Sequence, residues 1–258
     1  MSKISEAFRD RKAFVAYLMA GDPAPDKTGE FIRALEKAGA DIIEIGIPFS
    51  DPIAEGEVIQ AANLRALASG ATLDGVFGTL RSLKGEISVP LAFMTYLNPI
   101  LQYGYDAFFA RCADCGVSGV IIPDLPLEER DEVAGFTAVH GVDLIPLIAP
   151  TSAERVARIA RAAEGYVYLV SSLGVTGARR AITGDIPRLV ANIRAYTDIP
   201  VAVGFGVHRP EQAAELSRDA DGVIVGSAIV SIIAEYGRDA APLLESYVRR
   251  MKAAMRSE

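Results

Sequence analysis

Short apolar, β-branched runs alternate along the whole chain with longer segments in which apolar positions recur at helical spacing. Runs of this length bounded by turn residues read as strands buried on both faces, and the segments between them read as amphipathic helices. The runs at 13–18, 42–47, 89–94, 119–122, 143–147, 166–170, 200–203 and 222–225 make eight expected strands. Helical patterns lie at 27–38, 73–83, 106–114, 128–140, 152–163, 186–196, 210–218 and 240–255. Two of them carry start signals: Thr151-Ser152-Ala153-Glu154 sets a hydroxyl ahead of a glutamate at capping-box spacing, and Arg209-Pro210-Glu211 sets proline and an acid in a first turn.

Strict βα alternation with right-handed crossovers allows a closed barrel or an open doubly wound sheet. The open sheet would carry a Gly-x-Gly-x-x-Gly fingerprint after its first strand, and Ala20-Gly21-Asp22-Pro23 stands there instead. A single (β/α)8 barrel, of the α/β class, is the expectation. Its 258 residues match the ~250 usual for one such barrel, and no linker composition divides residues 1–258 into two domains.

A net charge of -7 disfavours nucleic acid and anionic membrane as partners. The first residues hold no apolar signal core and no apolar run approaches the ~20 residues of a membrane span, so a cytoplasmic protein is expected. Cys112 and Cys115 fall late in a helical pattern without a second ligand cluster and read as free structural thiols.

In a barrel the chemistry gathers where strands end. Gly174-Val175-Thr176-Gly177 follows the sixth strand, Gly204-Phe205-Gly206 the seventh, and Gly226-Ser227 opens an apolar segment after the eighth. Any one cluster is explained equally well by a tight turn. Three on consecutive final strands point to a phosphate cradle built from backbone N–H groups and a helix N-terminus.

The second strand places one carboxylate, Glu44, in an apolar run, facing with Ile42 and Gly46. If that face is the barrel interior, desolvation raises its pKa toward neutrality and suits it to proton transfer; a buried structural glutamate is the equal alternative. Beyond it, Ser50-Asp51-Pro52-Ile53-Ala54-Glu55-Gly56-Glu57 is an acidic loop that either returns Glu55 over the pocket or is solvated surface. None of the six lysines falls at a strand end, against a Schiff-base aldolase, and two histidines are too few for the common metal sites. Cofactor-free acid–base chemistry on a phosphorylated substrate remains, with no metal.

The stretch Ile43-Glu44-Ile45-Gly46-Ile47-Pro48-Phe49-Ser50-Asp51-Pro52 closely resembles the signature of the tryptophan synthase alpha subunits. Ala20-Gly21-Asp22-Pro23, Met94-Thr95-Tyr96-Leu97-Asn98-Pro99, Pro123-Asp124-Leu125-Pro126, Gly174-Val175-Thr176-Gly177, Gly204-Phe205-Gly206 and Val225-Gly226-Ser227-Ala228-Ile229-Val230 follow in family order, so the resemblance spans the chain. It implies retro-aldol cleavage of indole-3-glycerol phosphate to indole and glyceraldehyde 3-phosphate. Glu44 matches the acid–base glutamate, and Glu55 stands where a second carboxylate stabilises the charge on the indole ring.

That second position departs from the family, which has aspartate followed by Gly-Pro where this chain has Glu55-Gly56-Glu57. The carboxylate is one methylene longer, and a misplacement of about 1 Å costs on the order of 10²-fold in rate. By the same resemblance Tyr17, Tyr96 and Tyr168 line the pocket, with Tyr17 replacing a frequent phenylalanine, and Phe205 lies against indole. Gly177, Gly206, Gly226 and Ser227 hold the phosphate, and Thr176 sits on a lid spanning 171–183. Asp51 and Pro52 match a docking loop for the beta subunit, which carries the pyridoxal phosphate in an αββα complex; the alpha chain carries no cofactor. A stand-alone indole-glycerol-phosphate lyase and a weakly catalytic activating subunit are the alternatives left open.

Overall fold

The computed structural model describes residues 2–150, 152–170, 186–204 and 206–255. Among these, β1 (Ala13–Met19), β2 (Ile42–Gly46), β3 (Leu91–Met94), β4 (Val117–Ile121), β5 (Asp143–Leu144), β6 (Leu147–Ile148), β7 (Val167–Val170), β8 (Val201–Gly204) and β9 (Gly222–Val225) pair in parallel in the order β5-β4-β3-β2-β1-β9-β8-β7-β6. The two ends of that order are consecutive pieces of chain. The Ile145 N–H still donates to Val120 C=O at 2.9 Å, and Pro146 C=O accepts from the Tyr168 N–H at 2.9 Å, so the ladder runs on through the gap. The sheet is therefore a closed (β/α)8 barrel whose fifth strand is interrupted. This corrects the continuous strand expected at 143–147: Pro146 has no N–H to donate, and the strand breaks into β5 and β6 around it.

Side chains alternate across the barrel wall as period two demands. Phe14, Ala16 and Leu18 of β1, Ile43 and Ile45 of β2 and Phe93 of β3 pack outward with residues such as Phe31, Leu35 and Phe108 of the surrounding helices. Ala13, Val15, Ile42, Ala92, Ile121, Tyr166, Tyr168, Ala202 and Ile224 point inward. Ile4 and Phe8, around the short helix Lys3–Glu6, close the N-terminal end of this inner core, with the Phe8 ring 5.5 Å from that of Tyr166. The inner face is too narrow for large side chains in every strand. An ideal Cβ on Gly46 would come within 2.2 Å of Tyr17 Oη, and one on Gly204 within 2.6 Å of Tyr168 Oη. Glycine in β2 and β8 thus makes room for the tyrosines of β1 and β7.

Helix starts follow local chemistry, with one correction. Ser152 is the N-cap of helix Ala153–Arg161 and accepts from the Arg155 N–H at 3.4 Å, so Glu154 is one residue short of the capping-box position; Thr151 lies outside the described residues. Helix Pro210–Asp219 begins as expected, with proline in its first turn and Gln212 Oε1 accepting the N–H groups of His208 and Arg209 at 3.1 and 3.0 Å. Cys112 and Cys115, on helix Tyr105–Cys115, are buried free thiols, and burial pushes both pKa values up. The one buried lysine, Lys252, bonds to Asp41 and to Lys12 C=O beside the starts of β1 and β2, at the end of the barrel opposite the expected chemistry.

Candidate active site

β2 presents Ile42, Glu44 and Gly46 to the barrel interior, and Glu44 is completely buried there. Its neighbour in β1 is Tyr17, paired with it in register. The Tyr166 hydroxyl donates to Glu44 Oε1, while Oε2 has no hydrogen-bond partner among the described residues. Burial pushes the Glu44 carboxyl up to about 7, against the opposing pull of the Tyr166 hydrogen bond. A carboxyl with that pKa gives and takes a proton at neutral pH, as a structural glutamate locked in an ion pair does not.

The chain leaves β2 through Pro48 and Phe49 and turns into helix Glu57–Ala68, with Gly56 as N-cap. Glu57 is thus an exposed first-turn residue of a helix, where an acid suits the dipole, and not part of the loop surface. The helix lays Ile59, Ala62, Asn63 and Ala66 inward. Asn63 accepts the Phe49 N–H at 3.0 Å through Oδ1 and donates through Nδ2 to Glu55 Oε2 at 2.5 Å. Tyr96, buried with its ring 5.3 Å from Phe49, accepts the Ala54 N–H at 3.0 Å. Glu55 is therefore folded back over the mouth. Burial pushes its carboxyl up to about 7, with hydrogen bonds from Asn63 and Tyr96 opposing.

Tyr17 lies between the two acids. Its phenol is raised well above its ordinary value, first by burial and then by the charges of Glu55 and Glu44. Tyr168, two residues beyond Tyr166 on the same inward face of the chain, is buried beneath Gly204. A bidentate pair anchors the rim: Arg65 donates from Nε and Nη2 to the fully buried Asp22, each at 2.8 Å, tying the turn after β1 to helix Glu57–Ala68.

After β9, the neighbour of β1, Gly226 is the N-cap of helix Ser227–Tyr236, and both Gly226 and Ser227 are partly exposed. The first-turn N–H groups of such a helix lack carbonyl partners within it and carry partial positive charge, a ready site for a phosphate. Gly206, exposed, has φ 78°, a left-handed backbone that favours glycine. Thr176, Gly177 and Phe205, and the segment expected as a lid, lie outside the described residues. Asp51 is exposed and accepts from the Ser50 hydroxyl, Pro52 is half-buried, and Ile53 beside them is 76% exposed, an apolar tip facing solvent.

Sequence reasoning brought Glu44, Glu55, Tyr17, Tyr96 and Tyr168 to one mouth, and the structure places all five there. It missed Tyr166, Asn63 and the Asp22–Arg65 pair. The signals were faint: Tyr166 shares a face with Tyr168, and Asn63 is a lone amide on an otherwise apolar helix face.

Two carboxyls pushed up to about 7 at the C-terminal mouth of a (β/α)8 barrel, with a partly exposed helix N-terminus two strands along, make an arrangement suited to acid–base chemistry on a phosphorylated substrate. The family model described as tryptophan synthase alpha chain matches residues 4–256. The tryptophan synthase alpha chain of Lacticaseibacillus casei is 47% identical over 255 residues, covering 99% of this chain and 96% of the relative. That of Methanosarcina mazei is 49% identical over 260 residues, covering 98% and 94%. A solved structure of Mycobacterium tuberculosis tryptophan synthase superposes with a TM-score of 0.91 at 36% identity, covering 100% of this chain and 99% of that one. The tryptophan synthase alpha subunit of Legionella pneumophila does so with 0.88 at 38%, covering 99% and 98%. The chain belongs to the tryptophan synthase alpha chain family.

Proposed function

We propose that Glu44 and Glu55 carry the chemistry by which this alpha chain, a carbon–carbon lyase of tryptophan biosynthesis, cleaves indole-3-glycerol phosphate to indole and glyceraldehyde 3-phosphate. Glu44, proton-bound at the start, gives its proton to indole C3. Glu55, as carboxylate, faces the indole N–H and stabilises the positive charge that appears on the ring. Glu44, now ionised, takes the proton of the side-chain hydroxyl next to C3. The O–H electron pair becomes the aldehyde C=O, the bond to C3 breaks, and its electrons restore the aromatic ring. One proton is given and one taken, so the enzyme is regenerated. Gly206, Gly226 and Ser227, with Gly177, hold the phosphate; Tyr96 and Tyr168, with Thr176 and Phe205, frame the indole and the catalytic acids.

The observation that carries this reading is the Glu44 carboxyl itself. It is buried, held on one oxygen by Tyr166, open on the other, and poised near neutrality. As a family member the chain works with a tryptophan synthase beta subunit, which holds the pyridoxal phosphate, and the exposed Asp51-Pro52-Ile53 tip is its docking point in an αββα complex. Residues 1–258 act as one domain. No helix among the described residues is long and apolar enough to cross a membrane, and we place the enzyme in the cytoplasm.

The test is indole release from indole-3-glycerol phosphate, with and without a cognate beta subunit, by wild type, Glu44→Gln and Glu55→Ala. Slow release alone, acceleration by the partner and loss in both variants are expected. The wild-type rate should peak near neutrality, rising as Glu55 ionises and falling as Glu44 loses its proton. Unimpaired turnover in Glu44→Gln would remove the acid–base assignment.

A further inference from the structure

Four buried polar side-chain atoms have no partner among the described residues, Thr95 Oγ1, Asp143 Oδ2, Tyr17 Oη and Glu44 Oε2, and the last two belong to register-paired residues of the inner face. A fold rarely leaves one such atom unsatisfied, because each gives up water for nothing. Here the strand register itself makes the pair, since Tyr17 and Glu44 are directly opposed in β1 and β2. Gly46 completes it. With no side chain there, the Tyr17 ring leans across β2 one inward position above Glu44, its hydroxyl where a Cβ on Gly46 would be. On its other side the ring lies beside Gly226, where an added Cβ would come to 3.4 Å of it, so the phenol sits between the acid strand and the helix N-terminus.

We propose that Tyr17 is a third catalytic group: its hydroxyl donates a hydrogen bond to the substrate side-chain oxygen from which Glu44 Oε2 takes the proton. Both unpartnered atoms then converge on a single hydroxyl group of the substrate, one accepting its hydrogen and one donating to its oxygen. As that oxygen gives up its proton and becomes the aldehyde carbonyl, negative charge builds on it, and a preorganised O–H donor in a dry site stabilises that charge. Tyr17 transfers no proton. Burial, and after it the charges of Glu55 and Glu44, keep it in the phenol form throughout. A phenylalanine here would fill the same space against indole and supply no donor.

This inference rests on the reading of Glu44 as the acid–base group, and the two fail differently. The experiment uses the full-length chain with its beta subunit and compares wild type, Tyr17→Phe and Glu44→Gln. In Tyr17→Phe, kcat for indole-3-glycerol phosphate should fall by about 10²-fold, the scale of losing one oxyanion donor, with KM changed less than threefold. Affinity for indole-propanol phosphate, an analogue with no side-chain hydroxyl, should stay at the wild-type value. The melting temperature of the free enzyme should rise, because an unsatisfied hydroxyl has been removed. A purely structural tyrosine predicts the reverse: a lower melting temperature and unchanged kcat. Wild-type kcat in Tyr17→Phe, with Glu44→Gln inactive, would overturn this inference and leave the acid–base reading standing; full activity in Glu44→Gln would overturn both.

Discussion

Gly46→Ala tests the inner packing that shapes the site. The added methyl would lie 2.2 Å from Tyr17 Oη, 2.8 Å from Tyr17 Cζ and 3.0 Å from Met19 Cε, where ordinary contact begins at 3.4 Å. An overlap of more than an ångström at the hydroxyl must be relieved by a shift of the Tyr17 ring or of β2, and Gly226, without a side chain, leaves some room beside the ring. Overpacking of a closed core costs about 1–3 kcal/mol, the range expected for this substitution. Tyr17→Phe removes the worst contact and keeps the milder one at Cζ. The double variant should therefore recover part of the loss, with a coupling of about 1 kcal/mol or more. Urea unfolding of the four proteins of the cycle measures this as midpoint shifts at constant m. A Gly46→Ala midpoint within about 0.5 kcal/mol of wild type, or additive effects in the double variant, would refute the proposed contact.

Two further outcomes follow from the charges. Glu44 moves from an ordinary 4.5 to about 7 on folding, so between those values the folded chain keeps a proton that the unfolded chain has released; stability falls as pH rises through that window and stays lower above it. At 1.36 kcal/mol per unit this is on the order of 3 kcal/mol, so Glu44→Gln should be the more stable protein at pH 8 and lose that advantage at pH 4.5; equal gains at both would contradict the buried proton. Arg65→Ala leaves the fully buried Asp22 without its bidentate partner and should cost about 3 kcal/mol in a urea melt, the lower end for a broken buried pair because the Arg65 side chain is 35% exposed. A loss below about 1 kcal/mol would mean water replaces Arg65 there.

How much was legible before folding depended on how local the cause was. Strand two announced itself as an apolar β-branched run, and period two grouped Glu44 with Ile42 and Gly46, the face that the structure turns inward. The break in the fifth strand was legible too, in Pro146, and was missed because the apolar run continues through it. Helix Glu57–Ala68 was hidden by its start, where Glu55-Gly56-Glu57 reads as acidic loop; Gly56 is in fact the N-cap. Tyr166 and Asn63 left only faint signals, since what makes them part of the site is the carboxyl each one bonds, 122 and 8 residues away.

The sequence by itself determined the barrel, because burial periodicity and turn chemistry act over a few residues and repeat in each βα unit. It also pointed to the strand ends as the place for chemistry and, through the family resemblance, singled out Glu44 and Glu55 as candidates. Only the tertiary structure decided what those acids are. The pKa of Glu44 is set by the wall of strands around it, that of Glu55 by burial under the fold of its loop against an opposing hydrogen bond from Asn63, and the Tyr17 hydroxyl is brought over Glu44 by parallel register and the absence of a side chain on Gly46. Desolvation and close approach depend on every group that surrounds a point in space, and those groups come from strands far apart in the chain.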